Sequence, residues 1–234
     1  MKMKTTNKSR IPTNPEWFYF NKNKYCSWLY CFICSSSTYH DKRLYYTKNS
    51  FIQDIPLIKK LLGVTDKRTI NTALKKLLDN GYIFEDGEKY YFPTNEEFKG
   101  RYFLIDKDLL YNLCVTKSTL TAQIFIYLAD RLKFKEMVCN ESEYLFTLKE
   151  LRVALGYSPN SQNARVESAI KECLQTLKAE NYIDYENISV LLSTNGKEIV
   201  VQNYNLKGVC KEIPRTLQEI KKEESEFSVK IFQF

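Results

Sequence analysis

The sequence predicts a mainly helical α+β fold in which small β-hairpins follow pairs of helices. Apolar residues recur at helical spacing on both sides of Gly63, and the same pattern surrounds Gly156. Two turn-forming pairs, Asp86-Gly87 and Asn195-Gly196, each lie between short runs of strand-forming residues. The chain of 234 residues thus contains the order helix, turn, helix and hairpin twice, and we expect two tandem domains.

The first helix pair is encoded by residues 50–80. Apolar residues from Ile55 to Leu62 recur at helical spacing and stop at Gly63, which suits the left-handed conformation that ends a helix. Thr65 is expected to cap the second helix. That helix is amphipathic, and its apolar face comprises Ile70, Ala73, Leu74, Leu77 and Leu78. The opposite, polar face comprises Lys67, Arg68, Asn71, Thr72 and Lys75.

A hairpin signal follows this helix pair, with Asp86-Gly87 between residues 82–84 and residues 89–92. Helix, turn, helix and a two-stranded hairpin in this order constitute a winged helix-turn-helix domain. An amphipathic helix of this kind fits the major groove of DNA, where Arg, Lys, Asn and Thr contact base edges. We therefore predict DNA contact by the polar face of the second helix and by Lys89 on the hairpin. Two alternatives stay open: the basic face is only a solvated helix surface, or the domain binds proteins alone.

The second half of the chain repeats this pattern. Residues 70–83 align without gaps on residues 170–183, and FTLKELRVALGYS, residues 146–158, resembles the earlier helix that ends in Leu-Gly. The aligned pairs with identical residues are Ile70 and Ile170, Leu74 and Leu174, Leu77 and Leu177, Tyr82 and Tyr182, and Ile83 and Ile183. A second hairpin, longer than the first, is expected around Asn195-Gly196. The repeat predicts tandem winged helix-turn-helix domains.

The second helix of the repeat differs from the first on its outer face. The second copy has about seven extra residues between its glycine and the aligned helix, and SPNSQNARVES, residues 158–168, fills this gap. Ser158-Pro159 or Ser161 could start the helix. This face is more polar than basic, so it could read bases through amide groups or contact a partner subunit. The DNA-contacting residues predicted here are Gln162, Asn163, Arg165 and Lys171. Lys197 on the second hairpin occupies the place of Lys89 on the first, and we predict DNA contact there too.

An almost unbroken apolar run, YCSWLYCFIC at residues 25–34, allows three interpretations: a metal site, a membrane segment or a buried helix. The run is far shorter than the roughly 20 residues that a membrane-spanning helix needs. Cys31 and Cys34 would share a helix face, but Cys26 points away from them, which argues against zinc. A helix that is apolar on all sides is a buried one. We therefore predict the first core helix of the first domain, in the place that residues 116–135 occupy in the second.

The predicted organisation has five segments. They are a basic arm at residues 1–24, a winged helix at 25–93, a linker at 94–101, a second winged helix at 102–208 and a tail at 209–234. The arm carries Lys2, Lys4, Lys8 and Arg10, and it could lie along phosphates or in a minor groove, or be a disordered tail. The chain ends in FSVKIFQF, whose alternation predicts an edge strand. That strand could dock on its own chain or pair with a second copy in a homodimer.

The composition favours a binding protein over an enzyme. The single histidine excludes rolling-circle initiators and relaxases, which need a histidine pair to hold their metal, and no glycine-rich phosphate-binding loop occurs. We therefore expect no catalysis, no cofactor and no bound metal. Seven cysteines without a secretory signal favour a reducing cytoplasm. The net charge of +7 favours a polyanionic partner, and no basic amphipathic helix of the membrane-surface type is evident.

Residues 100–185 resemble a known family. This region is similar to the winged-helix domains of plasmid and phage replication initiators and replisome organisers from low-GC Gram-positive bacteria. The similarity lies in the order of four segments, YFLIDKDLLYNL, LTAQIFIYLADRL, FTLKELRVALGYS and LQTLKAENYI. The resemblance implies binding to repeated double-stranded DNA sites near an origin and recruitment of host replication proteins. Residues 26–92 match only as a generic winged helix, and residues 158–163 depart from the family pattern. The alternatives on the same fold are a transcriptional regulator of a mobile element and a protein-interaction scaffold.

Overall fold

The structure, a computed structural model, describes residues 10–13, 24–40, 43–93, 103–158, 164–194 and 197–210. Over these ranges the chain forms seven α-helices and small antiparallel sheets, so the predicted α+β class is confirmed. Some predicted features fall outside the described residues. They are Lys2, Lys4, Lys8, the linker at 94–101, the turn at Asn195-Gly196 and the tail that ends in FSVKIFQF.

The first half of the chain builds a four-stranded sheet and three helices. Its elements are β1 (Arg10–Thr13), α1 (Lys24–Ser36), β2 (Thr38–His40), β3 (Arg43–Thr47), α2 (Lys48–Leu62), α3 (Lys67–Asp79), β4 (Phe84–Asp86) and β5 (Lys89–Tyr91). The sheet has the order β2-β3-β5-β4, and each neighbouring pair is antiparallel. The strand that precedes the helix pair, β3, therefore pairs with the last strand of the hairpin that follows it.

The second half has similar elements in a similar order, but it has one strand between its long helix and the helix pair where the first half has two, and a short helix and a π-helical turn before that long helix. Its elements are β6 (Phe103–Asp106), α4 (Lys107–Tyr111), a π-helical turn (Asn112–Lys117), α5 (Thr119–Cys139), β7 (Tyr144–Phe146), α6 (Leu148–Ala154), α7 (Ala164–Ala179), β8 (Ile183–Thr194) and β9 (Lys197–Val209). The antiparallel sheet has the order β7-β9-β8, so the strand before the helix pair again pairs with the last strand. The second hairpin is longer than the first, as the sequence predicted.

The two halves also share their turn conformations. Gly63 and Gly156 follow the first helix of each pair with positive φ angles of 63° and 81°, a left-handed conformation that only residues such as glycine adopt readily. After the second helix of each pair, Gly81 and Asn181 occupy equivalent positions with φ angles of 68° and 60°. Asn tolerates this conformation better than other residues that carry a β-carbon. Positions 81 and 181 thus have the same backbone conformation although their residues differ.

A tyrosine and a carboxylate join the sheet to the first helix of each pair. In the first half, the hydroxyl of Tyr46 on β3 donates a hydrogen bond to Asp54 on α2. In the second half, Glu150 on α6 accepts hydrogen bonds from Tyr144 on β7 and, at 2.8 Å, from Tyr127 on α5. Burial and the adjacent Glu150 raise the pKa of Tyr144 above its ordinary value, so the phenol stays neutral.

Helix α1 contains the apolar run of residues 25–34 and lies between the two halves. It packs against α3 of the first half and against α4, the π-helical turn and α5 of the second half. Every residue from Cys26 to Cys34 is at most 5% exposed. This double contact explains why the run is apolar on all sides, and the buried residues of both halves form one continuous cluster. The predicted core helix is confirmed, and its contact with the second half is an addition to the prediction.

Three local details differ from the sequence expectations. Asp66, and not Thr65, caps α3, because its carboxylate accepts a hydrogen bond from the amide of Arg68 at 2.8 Å. The two-residue turn of the first hairpin is residues 87–88, since Asp86 already pairs with Lys89. Arg10, placed in the basic arm, belongs to β1, which pairs antiparallel with β6.

Candidate nucleic-acid interface

Helix α3 is held by its apolar face against α1. Ile70 and Leu77 are fully buried, Ala73 and Leu74 are nearly so, and the Cys26 thiol of α1 lies 3.8 Å from the Ala73 carbonyl. The turn at Gly63 and the Asp66 cap fix where the helix begins. This packing determines which side of α3 faces the solvent.

The solvent side of α3 carries the residues that were predicted from the sequence to contact DNA. All five predicted DNA-contacting side chains of this helix are exposed: Lys67, Arg68, Asn71, Thr72 and Lys75. Lys76 is exposed as well, so four cations lie on a helix whose only acidic neighbours in residues 66–79 are its Asp66 cap and its last residue, Asp79. The cationic face extends over about 10 Å, because Arg68 and Lys75 are separated by two helical turns.

Lys89 lies on the outer face of the four-stranded sheet. Its ammonium is 4.4 Å from the centre of the Tyr45 ring on the paired strand β3, a cation–π contact. The side chain is half-buried for this reason. The structure therefore associates Lys89 with an aromatic surface that forms only through the pairing of β3 with β5, which no local sequence signal indicates.

The first hairpin is fixed to the start of α2 by two contacts. The Lys48 amide donates to the Glu88 carbonyl at 2.9 Å, and the Lys48 ammonium forms an ion pair with Glu85. The hydrogen bond that the Lys48 ammonium donates to the Glu85 carboxylate raises the pKa of Lys48 above its ordinary value. The hairpin and the helix pair are thus positioned together before any ligand binds.

The second predicted set of site residues is described only in part. Arg165 and Lys171 are exposed on α7, but Gln162 and Asn163 lie outside the described residues. Lys197 is the first residue of β9, and its side chain is not described. Of the described helical site residues, the first set lies on α3, and Arg165 and Lys171 lie on α7, one helix in each half.

The surface of α7 has mixed charge. Glu167 forms an ion pair with Arg152 of α6 at 2.8 Å, and the Arg152 side chain is only 6% exposed. This pair holds the two helices of the second pair together. The exposed Glu172 follows Lys171 directly, so the positive potential of this helix is weaker than that of α3.

The cysteines of α1 are core residues. Cys31 and Cys34 are fully buried, and Cys114 of the π-helical turn is buried as well. Burial and a hydrogen bond with Cys114 raise the pKa of the Cys31 thiol well above its ordinary value. Within the described ranges, no group of three or more His, Cys, Asp or Glu side chains is arranged to hold a metal ion.

A cleft opens between the two halves, with a cavity volume of about 690 Å³. Tyr25, Trp28 and Leu61 line it on the first-half side, and Val115, Leu120 and Tyr157 line it on the other. Polar side chains at the start of α5, among them Thr119 and Gln123, also line the cleft. The cleft is a feature of the junction between the halves and is separate from the cationic face of α3.

Comparison of the chain with protein-family models, with curated proteins and with solved structures finds no match. No helix in the described part of the chain is both long and apolar enough to span a membrane.

Proposed function

We propose that both halves are winged helices and that the protein is a sequence-specific double-stranded DNA-binding protein. The fold is supported by the sequence of strand, helix pair and hairpin that follows a long helix in each half, because the strand before the helix pair closes a sheet with the hairpin after it. The protein acts in the cytoplasm, binds and does not catalyse.

The observation that carries this proposal is the exposed face of α3. A helix end that presents Lys67 and Arg68, followed by amide and hydroxyl groups, matches the chemistry of the major groove. Arg68 reads a base edge or clamps a phosphate, and Lys75 neutralises a phosphate two helical turns further along. Helix α7, with Arg165 and Lys171, makes a second and weaker contact through its mixed surface.

The role that we propose for this DNA binding is replication initiation on a plasmid or phage. The resemblance of residues 100–185 to replication initiators and replisome organisers supports it, and two recognition helices in one chain suit repeated sites. Host replication proteins, and a second copy of the chain, are the proposed protein partners. Autonomous replication of a DNA circle that carries only this gene and its flanking DNA would separate initiation from transcriptional control.

The test of DNA contact uses single charge removals on two helices. Lys75→Ala on α3 removes a cation from the proposed interface, and Lys133→Ala removes one from the exposed end of α5. Binding of each purified variant to labelled duplex DNA is followed by fluorescence anisotropy over a series of salt concentrations. The slope of log K against log salt is negative, and we expect Lys75→Ala to reduce its magnitude by about one. Lys133→Ala should leave the slope unchanged. Equal behaviour of the two variants would contradict the proposal and favour a protein-interaction scaffold.

A further inference from the structure

Three aromatic rings form a row across the outer face of the first sheet. Tyr45 on β3 pairs with Tyr91 on β5, and Tyr91 pairs with Phe84 on β4, so the three residues lie side by side on adjacent strands. Neighbouring strands are about 4.8 Å apart, and the row therefore spans about 10 Å. The centres of the Tyr45 and Tyr91 rings are 6.2 Å apart.

The alternation of the strands places this row away from the core. Leu44, Tyr46 and Tyr90 are buried on the opposite face, against α1 and α2. Phe84 is 44% exposed, and Tyr45 and Tyr91 are half-buried. The rings thus belong to the protein surface and not to the hydrophobic core.

Cations flank the aromatic row on both sides. Arg43 precedes Tyr45 by two residues on β3, and Lys89 precedes Tyr91 by two residues on the antiparallel strand β5. Both side chains therefore lie on the outer face, at opposite sides of the row. Asp86 faces Lys89 across the hairpin and contributes one negative charge at the sheet edge.

The second sheet provides an internal comparison. In its equivalent row, Leu145 pairs with Asn205, and Asn205 pairs with Glu186. The Asn205 amide donates to Glu143, and Lys207 forms an ion pair with the same carboxylate. The strand order β7-β9-β8 corresponds to β3-β5-β4 of the first sheet and forms with one leucine and polar groups, so this strand order does not require the aromatic residues of the first sheet.

We propose that the outer face of the first sheet binds single-stranded nucleic acid. Unpaired bases stack on Phe84, Tyr91 and Tyr45, while Arg43 and Lys89 contact the phosphates on either side. Aromatic rings on adjacent strands with nearby cations are the chemistry by which open sheets bind single strands without sequence preference. The Lys89 ammonium, now over the Tyr45 ring, lies where a phosphate contact can replace the cation–π contact. Duplex DNA cannot use this surface in the same way, because its bases are stacked on each other.

The test measures binding of fluorescein-labelled oligothymidylate, about 15 nucleotides long, to the full chain by anisotropy. Phe84→Leu and Tyr91→Leu keep an apolar side chain but remove the ring, and each should weaken binding by about 5-fold to 100-fold. Tyr91→Phe keeps the ring and should bind like the wild type. Leu145→Ala, at the position in the second sheet that corresponds to Tyr45, is the matched control and should have no effect. Circular dichroism confirms that every variant is folded.

The proposal would be overturned if the wild type did not bind oligothymidylate, or if both leucine variants bound it with unchanged affinity. Either result would indicate a protein-docking face. The α3 variant Lys75→Ala separates this proposal from the function proposed above. It should weaken duplex binding and leave oligothymidylate binding intact, whereas Phe84→Leu should do the opposite. A protein that binds oligothymidylate but no duplex would retain this inference and lose the proposed function.

Discussion

Replacing Leu29 with alanine should destabilise both halves of the protein together. Leu29 is fully buried in α1, which packs against elements of both halves within one continuous core. A buried leucine-to-alanine change costs about 3 to 5 kcal/mol, because the lost transfer energy adds to that of the cavity. With a urea dependence of about 2 to 3 kcal/mol per molar, the unfolding midpoint should fall by about 1 to 2 M.

The native cysteines supply local probes for this experiment. Cys31 on α1 and Cys114 on the π-helical turn are buried, whereas Cys139 at the end of α5 is exposed. Brief alkylation at increasing urea concentration, read by mass spectrometry, gives an unfolding midpoint for each buried thiol, with Cys139 as the reference. We expect Cys31 and Cys114 to share one midpoint and to shift together in Leu29→Ala. A shift at Cys31 with none at Cys114 would refute a core that couples the halves.

Three further predictions concern the second half and the response to alkali. Glu167→Gln should lower the unfolding free energy by about 1 to 2 kcal/mol in urea titrations, because it removes the carboxylate that forms an ion pair with the buried Arg152. Glu172→Gln, on the same helix, is the control and should have little effect. Asn181→Gly should raise the unfolding free energy by about 0.5 to 1 kcal/mol, because φ is 60° there, and a lower melting temperature would contradict this. Burial raises the pKa of Tyr82 to about 12, whereas an unfolded tyrosine titrates near 10, so the native state holds its proton more tightly. The contribution of Tyr82 to stability should therefore be constant below about pH 10 and fall between about pH 10 and pH 12. In thermal melts, Tyr82→Phe should reduce that fall, and a pH profile identical to that of the wild type would exclude this contribution.

Local sequence patterns were sufficient to predict the helix pairs and their order. Apolar spacing up to Gly63 and Gly156 locates the first helix of each pair, since a glycine in the left-handed conformation ends a helix for local reasons. The exposed face of α3 was predictable for the same kind of reason. Lys67 and Lys75 must lie opposite the apolar stripe once the helix packs by that stripe.

Long-range pairings could not be predicted from local patterns. The β1 strand forms only because β6 lies beside it, and the two are separated by most of the first half. The position of Lys89 over Tyr45 depends on the register of β3 with β5, which no local signal specifies. The contact of α1 with the second half likewise arises from packing between segments that are distant in sequence.

Sequence-specific duplex binding is best tested by footprinting the purified protein on fragments of the DNA that surrounds its own gene. Binding is measured at two salt concentrations and with competitor DNA, using Lys75→Ala beside the wild type. We expect protected, repeated sites, with an affinity that falls steeply with salt and is reduced in the variant. No protection above competitor DNA at either salt concentration would contradict sequence-specific duplex binding.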